Sequence, residues 1–236
     1  MQSTQKNTKN NNLLININKL NVFFNTPEGL SHVVKDLNFN VKKGTCLGVV
    51  GESGSGKTQT FFSITGLLAK NGYAEGEANF KNYNLITCDD EIRRGFLGKS
   101  IGFIFQDPMT SLTPHLKIGD QLAEIAIYHK KITKSKALQR AAEVMDVVKL
   151  PNNRDIINSY PHELSGGMKQ RIMIAISLMC EPDLIIADEP TTALDVTTQA
   201  EILNIFNELK NNLNLGLVLI SHNIGVIAET SNEVLV

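Results

Sequence analysis

The sequence predicts an α/β fold: a mostly parallel sheet, an antiparallel β subdomain towards the N-terminus, and an inserted α-helical subdomain. Three observations lead there. Four short apolar runs, Cys46–Val50, Ile101–Phe105, Leu184–Ala187 and Leu217–Ile220, do not alternate with polar residues. Such runs read as strands buried on both faces, as in a parallel sheet sandwiched by helices. Ahead of them, Leu13–Phe24 (through Ile15, Ile17 and Val22) and Val33–Val41 (through Val33, Leu37, Phe39 and Val41) have the pattern of more exposed antiparallel strands. Pro27, Glu28 and Gly29 supply the turn between them. Between Pro114 and Leu150 the period changes, with Ile118, Leu122 and Ile125, then Leu138, Ala141, Met145 and Val148, at helical spacing.

Composition sets the outer limits. The chain has 236 residues, 23 basic and 24 acidic, for a net charge of −1. At about 150 residues per domain this is one large domain or two small ones, able to bury a core without disulfides or metals. Near-neutrality argues against a general polyanion binder. Cys46, Cys88 and Cys180 have no CxxC spacing, which disfavours zinc ribbons and disulfide scaffolds and fits a reducing compartment. The longest mostly apolar run, Ile172–Cys180, is nine residues, far from the roughly 18 that span a bilayer. Residues 1–12 are polar and Asn-rich, a pattern expected of a disordered tail rather than a secretory signal. The expectation is a cytosolic, soluble globular protein.

The chemistry lies just beyond each buried run. In an open parallel sheet, ligands bind past the carboxyl ends of the strands, so the residues that follow the four runs should converge. Gly51-Glu52-Ser53-Gly54-Ser55-Gly56-Lys57-Thr58 follows the first and matches the complete P-loop pattern, ahead of a helical stretch Gln59–Leu68. Its glycines let the backbone wrap phosphate oxygens, and the following helix aims unpaired N–H groups at the anion. Lys57 is suited to the β- and γ-phosphates and the Thr58 hydroxyl to Mg²⁺. Asp188 and Glu189 follow the third run. There the aspartate suits a hold on Mg²⁺ and the glutamate the deprotonation of an attacking water. Gln106 and His222, after the second and fourth runs, are weak signals alone and gain meaning only from their positions.

Leu164-Ser165-Gly166-Gly167-Met168-Lys169-Gln170-Arg171 precedes the apolar helix Ile172–Cys180. Ser165 is a plausible N-cap, and the glycines expose backbone N–H groups. Spacing alone leaves two readings open: a second anion site, or an ordinary capped helix with a Gly-rich lead-in.

Taken together these residues resemble the nucleotide-binding subunit of ABC transporters, a P-loop NTPase with a RecA-like core. Gly51–Thr58 looks like Walker A, Gln106 the Q-loop, Leu164–Gln170 the LSGGQ-type signature, Leu184–Glu189 Walker B with its catalytic glutamate, Ala193-Leu194-Asp195 the D-loop and His222 the switch histidine. Met168 departs from the shortest consensus. The resemblance implies ATP and Mg²⁺ as cofactors, with Thr58, Gln106 and Asp188 at the metal and Glu189, His222 and Gln106 at the chemistry. It extends the nucleotide contacts to Glu52, Ser53, Gly54, Ser55 and Gln59. It also implies a head-to-tail dimer, with an identical or a paralogous copy, in which Ser165, Gly166 and Gly167 bind the γ-phosphate on the other subunit, and it counts Asp195 among the nucleotide-binding residues. An aromatic should stack on adenine near the end of the first strand; Phe24 fits best and Phe23 is the alternative.

Phe105–Pro114, Tyr160–Met168 and Ala187–Val196 look like the oligopeptide and dipeptide importer ATPases, a group that also includes nickel importers. That implies a peripheral ATPase at the cytoplasmic face of the inner membrane, driving a separate integral-membrane permease, with no nucleic acid partner. The segment from about 107 to 160 is the helical subdomain that should meet the permease. A soluble ABC ATPase acting on DNA or ribosomes is the other class. About a hundred residues without heptads separate P-loop from signature, and the chain has one cassette, both of which disfavour it. Relatives of this kind continue through another β-element and a C-terminal extension, so the stop after Glu233–Val236 is read as a truncation.

Overall fold

The computed structural model describes residues 12–151 and 153–236; the expected disordered tail falls almost wholly outside them. In chain order the elements are β1 (Leu13–Thr26), β2 (Gly29–Lys42), β3 (Cys46–Val50), α1 (Lys57–Thr65), β4 (Gly72–Phe80), β5 (Tyr83–Asn84), α2 (Asp90–Phe96), β6 (Ile101–Ile104), α3 (Pro108–Ser111), α4 (Ile118–Lys130), α5 (Lys134–Val147), α6 (Asn153–Ile156), α7 (Gly166–Leu178), β7 (Leu184–Asp188), α8 (Val196–Leu213), β8 (Gly216–Ser221), α9 (Ile224–Thr230) and β9 (Glu233–Leu235).

Five strands form one sheet in the order β6-β7-β8-β3-β9, and every pairing in it is parallel. The non-alternating runs are its central strands, and the reason is visible strand by strand. In β7, Ile185 and Ala187 join a core shared with the helices, while Leu184 and Ile186 join a second core under the antiparallel sheet. In β8, Leu217 and Leu219 face the first and Val218 and Ile220 the second. Both faces are dry, so no position is left for a polar residue.

The second sheet is antiparallel, in the order β2-β1-β4-β5. Its inner face, with Ile17, Leu20, Val22 and Phe80, closes over α1, whose Phe61 and Ile64 are 1% exposed. Full burial of a side chain such as Phe61 is worth about 1.5–3 kcal/mol. Strand β4 and helix α2 were not expected from the sequence. The β4 segment GYAEGEANF is poor in β-branched residues, so propensity argues against a strand. Pairing with β1 overrides it. β1 carries an irregularity between Asn18 and Asn21, where Lys19 adopts φ 47°. Gly76 faces it at φ 107°, with no room for a side chain: a Cβ there would lie 2.2 Å from the Lys19 carbonyl oxygen.

Between β6 and β7 the chain is helical, from α3 to α7, with a short 3₁₀ turn at Pro161–Glu163. α4 and α5 pack on α7 through Leu122, Ala126, Ala141 and Met145. Two helix starts differ from expectation. α1 begins at Lys57 rather than Gln59 and is closed by Gly66 in the left-handed region. α7 begins at Gly166, well before Ile172, because the Ser165 hydroxyl accepts from the Met168 amide and caps it.

Arg171 ties these helices together. Its Nη1 donates to the carbonyls of Val148 and Lys149, at 3.0 Å each, just past α5. Its Nη2 meets Glu201 of α8 at 2.6 Å. One guanidinium thus fixes α7 to an element on either side, which a lysine's single point of charge could not do. Arg171→Ala should cost about 1–3 kcal/mol, from the lost charge-assisted hydrogen bonds, of which the one to Val148 is part-buried. The thermal unfolding midpoint should then drop by roughly 2–4 °C per kcal/mol. An unchanged midpoint would show that the three acceptors are satisfied by water.

Candidate active site

The parallel order brings four strand ends to one edge. β3 runs into Gly51, β6 into Gln106, β7 into Glu189 and β8 into His222. Beyond β3 the chain turns tightly through Gly54 (φ 82°) and Gly56 (φ 88°) before entering α1. Gly56 is the N-cap residue, and no side chain caps the helix. Val33 of β2 also presses on it, at 3.1 Å from where a Cβ would be. Glycine is therefore required both for the turn and for the approach of β2. The uncapped first turn leaves backbone N–H groups at the positive end of the helix, an anion receptor in waiting. The Lys57 ammonium folds back into the loop and donates to the carbonyls of Gly51 (2.8 Å) and Glu52 (2.7 Å). It is thereby held at the loop's centre, where an anion would compete for it. Glu52, Ser53, Gly54 and Ser55 form the exposed rim, and Gln59 follows in the first turn of α1.

Next to the loop, the Thr58 hydroxyl donates to Oδ2 of Asp188 at 2.7 Å. Asp188 is 5% exposed. Burial pushes its carboxyl above the usual range, the Thr58 hydrogen bond pulls it partly back, Glu189 raises it and Lys57 lowers it. A buried carboxylate whose hydrogen bond comes from a neutral hydroxyl is short of positive charge, and that is the fit for a hard divalent cation with oxygen ligands. No cluster of three or more His, Cys, Asp or Glu side chains forms a protein-only cage among the described residues. A cation here would complete its shell with substrate and water oxygens.

Glu189 is the point where the other strand ends meet. Its Oε1 lies 3.1 Å from Nδ1 of His222. Its Oε2 accepts from Nε2 of Gln106 at 3.2 Å and from the hydroxyl of Thr192 at 2.9 Å. The Glu189 backbone is in the left-handed region, φ 47°, and its amide donates to Ile220 of β8 at 2.9 Å. Gln106 and His222, the weak single-residue signals, thus converge on one carboxylate. Thr192 is the member that sequence reading missed. It lies inside the Ala187–Val196 stretch, three residues after Glu189, a spacing that itself hints at a turn.

Ser165, Gly166, Gly167 and Asp195 form a separate group at the N-termini of α7 and α8. Asp195 caps α8, accepting from the Thr198 amide (3.0 Å) and hydroxyl (2.7 Å), and these bonds hold its carboxyl below the usual range. Gly167 faces Thr198, whose Cγ2 would lie 2.5 Å from an added Cβ, and Gly166 faces Leu194. The side chains of Ser165 and Asp195 cap α7 and α8, and among the described residues no hydrogen bond joins this group to the P-loop.

The two candidate aromatics lie on opposite faces of β1. Phe24 packs inward, its ring against Gly72 of β4, where an added Cβ would be 2.6 Å from Cε1. Phe23 points the other way and stacks between His32 (ring centroids 4.2 Å apart) and Tyr73 (5.1 Å).

A profile of the ABC transporter family matches residues 34–192. The chain belongs to that family. It is 47% identical over 225 residues to the oligopeptide transport ATP-binding protein OppD of Salmonella typhimurium, covering 95% of this chain and 67% of that protein. It is 43% identical to the dipeptide transport ATP-binding protein DppD of Bacillus subtilis, covering 94% and 67%. The chain thus spans about two thirds of the length of these relatives. Among solved structures, the dimeric structure of MJ0796, a bacterial ABC transporter cassette, superposes with a TM-score of 0.82 at 28% identity, covering 94% of this chain and 93% of that one. A second structure of MJ0796, a post-hydrolysis state bound to ADP and Pi, gives the same TM-score at 27% identity over the same shares. Both sheets and the helical segment belong to the ATP-binding cassette of the ABC transporter family, and among the described residues no helix is long and apolar enough to cross a membrane.

Asp188 gives a pH-dependent test of the cassette without nucleotide. Its carboxyl titrates higher folded than unfolded, so the folded state binds the extra proton. Ionising it therefore subtracts stability as pH rises through the carboxylate range. Asp188→Asn should melt at or above the wild-type temperature at neutral pH, and the gap should shrink as pH falls towards 4. A variant that melts lower at neutral pH would mean that the carboxylate is already compensated.

Proposed function

We propose that this chain is the ATP-hydrolysing subunit of an importer for oligopeptides or dipeptides, driving a separate membrane permease from the cytoplasmic face of the inner membrane. The observation that carries the reading is the Glu189 carboxylate, held by groups from two other strand ends, beside the Thr58–Asp188 pair and the P-loop. The peptide class is supported by the names of the relatives at 47% and 43% identity.

In this reading the β- and γ-phosphates enter the loop Gly51–Gly56, take over Lys57 from its two carbonyls, and accept from the first amides of α1. Gln59 and the exposed rim Glu52–Ser55 line the way in. Thr58 and Asp188, with Gln106 through water, are the groups to hold Mg²⁺, whose chemistry is to neutralise charge on the phosphate oxygens. Phe24 stacks on adenine, with Phe23 as the alternative. Glu189 takes a proton from the attacking water while His222 and Gln106 turn to the γ-phosphate. A positioned base contributes on the order of 10²–10⁴-fold, about 3–5 kcal/mol of barrier. Ser165, Gly166, Gly167 and Asp195, which do not reach the P-loop of their own chain, serve the nucleotide of a second cassette packed head to tail. The dimeric structure of MJ0796 supports the pairing of two cassettes. The helical subdomain, about 107–160, is the part that docks on the permease. Gln106, at its root, links it to the nucleotide.

Two measurements test this. Glu189→Gln should keep ATP binding and lose roughly 10²–10⁴-fold in kcat; equal rates would end the assignment of the base. Cysteines placed singly along 107–160 should crosslink to a permease loop in the assembled complex. Crosslinks confined to β1 and β2 would move the docking surface elsewhere.

A further inference from the structure

Glu189 has three side-chain donors, and they are not equivalent. Gln106 and His222 come from distant loops, and His222 is 62% exposed where Glu189 is 16%. Each can leave without disturbing the backbone that carries Glu189. Thr192 cannot. Its amide donates to the Glu189 carbonyl at 3.1 Å, closing a turn over residues 189–192, and its hydroxyl donates to Oε2 at 2.9 Å from within that turn. Two residues of this stretch, Glu189 (φ 47°) and Ala193 (φ 63°), are in the left-handed region without being glycine. The turn is thus over-determined: backbone strain on both sides of Thr192 is held by one main-chain and one side-chain hydrogen bond.

We propose that Thr192 is a positioning residue that anchors Oε2 of Glu189, so that Oε1 is the oxygen that accepts the proton of the attacking water. The proposal rests on the reading of Glu189 as the base. When phosphate draws Gln106 and His222 away, Oε2 keeps the Thr192 donor and Oε1 loses its His222 partner. The carboxylate then offers one oriented oxygen, Oε1, free to accept a proton. In the hydrolytic step the water oxygen forms a bond to the γ-phosphorus. The bond from that phosphorus to the bridging oxygen breaks, its electron pair leaving with ADP, and the water proton passes to Oε1. A carboxylate without the anchor could rotate about its last side-chain bond and present either oxygen, and such misorientation is costly to a reaction that depends on alignment.

The test uses the intact chain and steady-state ATPase kinetics. Thr192→Val keeps the shape and β-branching but removes the donor. It should lower kcat by about 10- to 100-fold, what one hydrogen bond to a charged group amounts to, with KM for ATP within about twofold. Thr192→Ser, which restores the hydroxyl, should bring kcat back to near wild type. If the valine variant does not fold, Thr192→Ala makes the same comparison. In a Glu189→Gln background, Thr192→Val should add no further loss, because its effect runs through the carboxylate. Wild-type kcat in Thr192→Val, or the same fold loss with and without Glu189, would overturn the proposal. If Glu189→Gln itself hydrolyses at the wild-type rate, it is the assignment of the base that has failed, which separates the two claims.

Discussion

Everything at the site depends on the register of four parallel strands. Val50 pairs with Ser221, and Asp188 with Ile220. Through these pairings the last residues of β3, β7 and β8 end level, and the polar residues beyond them meet. Burial on both faces enforces the register. A slip of one residue would turn Ile186 and Ala187 to the wrong cores and swing Asp188 out of reach of Thr58. The geometry of the site is therefore a by-product of core packing. No loop has to find Asp188 or Glu189, because the hydrophobic alternation across β7 and β8 delivers them.

The same economy explains the neutral charge. A triphosphate needs a concentrated positive potential, yet the chain has no basic excess. The positive potential is local: oriented amides at the uncapped start of α1 and one lysine, both against the P-loop. Fixed dipoles do not reorganise when the anion arrives, and they attract it without a basic surface that would bind other polyanions. The buried Asp188 acts in the opposite sense. Its unfavourable desolvation favours a positive charge beside the Thr58 hydroxyl.

Much of this was legible in the sequence because the signals are local. The P-loop, Asp188-Glu189 and the Ser165 cap are consecutive residues whose chemistry follows from their order. The buried strands show as unbroken apolar runs. What was not legible depends on partners far along the chain. β4 has the composition of a loop and becomes a strand only because β1 offers an edge. The clamp of Arg171 on carbonyls beyond α5 and on Glu201 of α8 is a tertiary event with no spacing rule. The choice between Phe23 and Phe24 turns on which face of β1 looks inward, and the irregularity at Lys19 shifts that parity between Ile17 and Val22. Counting alternate residues from Ile15 therefore gives the wrong face. Thr192 stayed hidden for another reason: a threonine after a turn is unremarkable until the left-handed backbone of Glu189 is known.

That backbone is the strongest reason to regard the Glu189 turn as built for a task. Of the other non-glycine residues with positive φ, Lys19, Asp36 and Lys81 lie in or between strands of the antiparallel sheet, and several sit where helices end, such as Lys131 after α4 and Asn214 after α8. There the left-handed conformation closes a helix and needs no further account. Glu189 and Ala193 close no helix. Each such residue costs of order 1–3 kcal/mol, and a looser connection from β7 to α8 would avoid the cost. The strained path has one effect that a relaxed one would lack. It folds the chain back at once after Asp188, so that residue 189 projects between the ends of β6 and β8 instead of continuing along β7. From there one carboxylate touches Gln106 and His222 together. The strain is thus the structural counterpart of convergence: parallel strands bring the loops to one edge, and a reversed residue brings the side chain to the point between them.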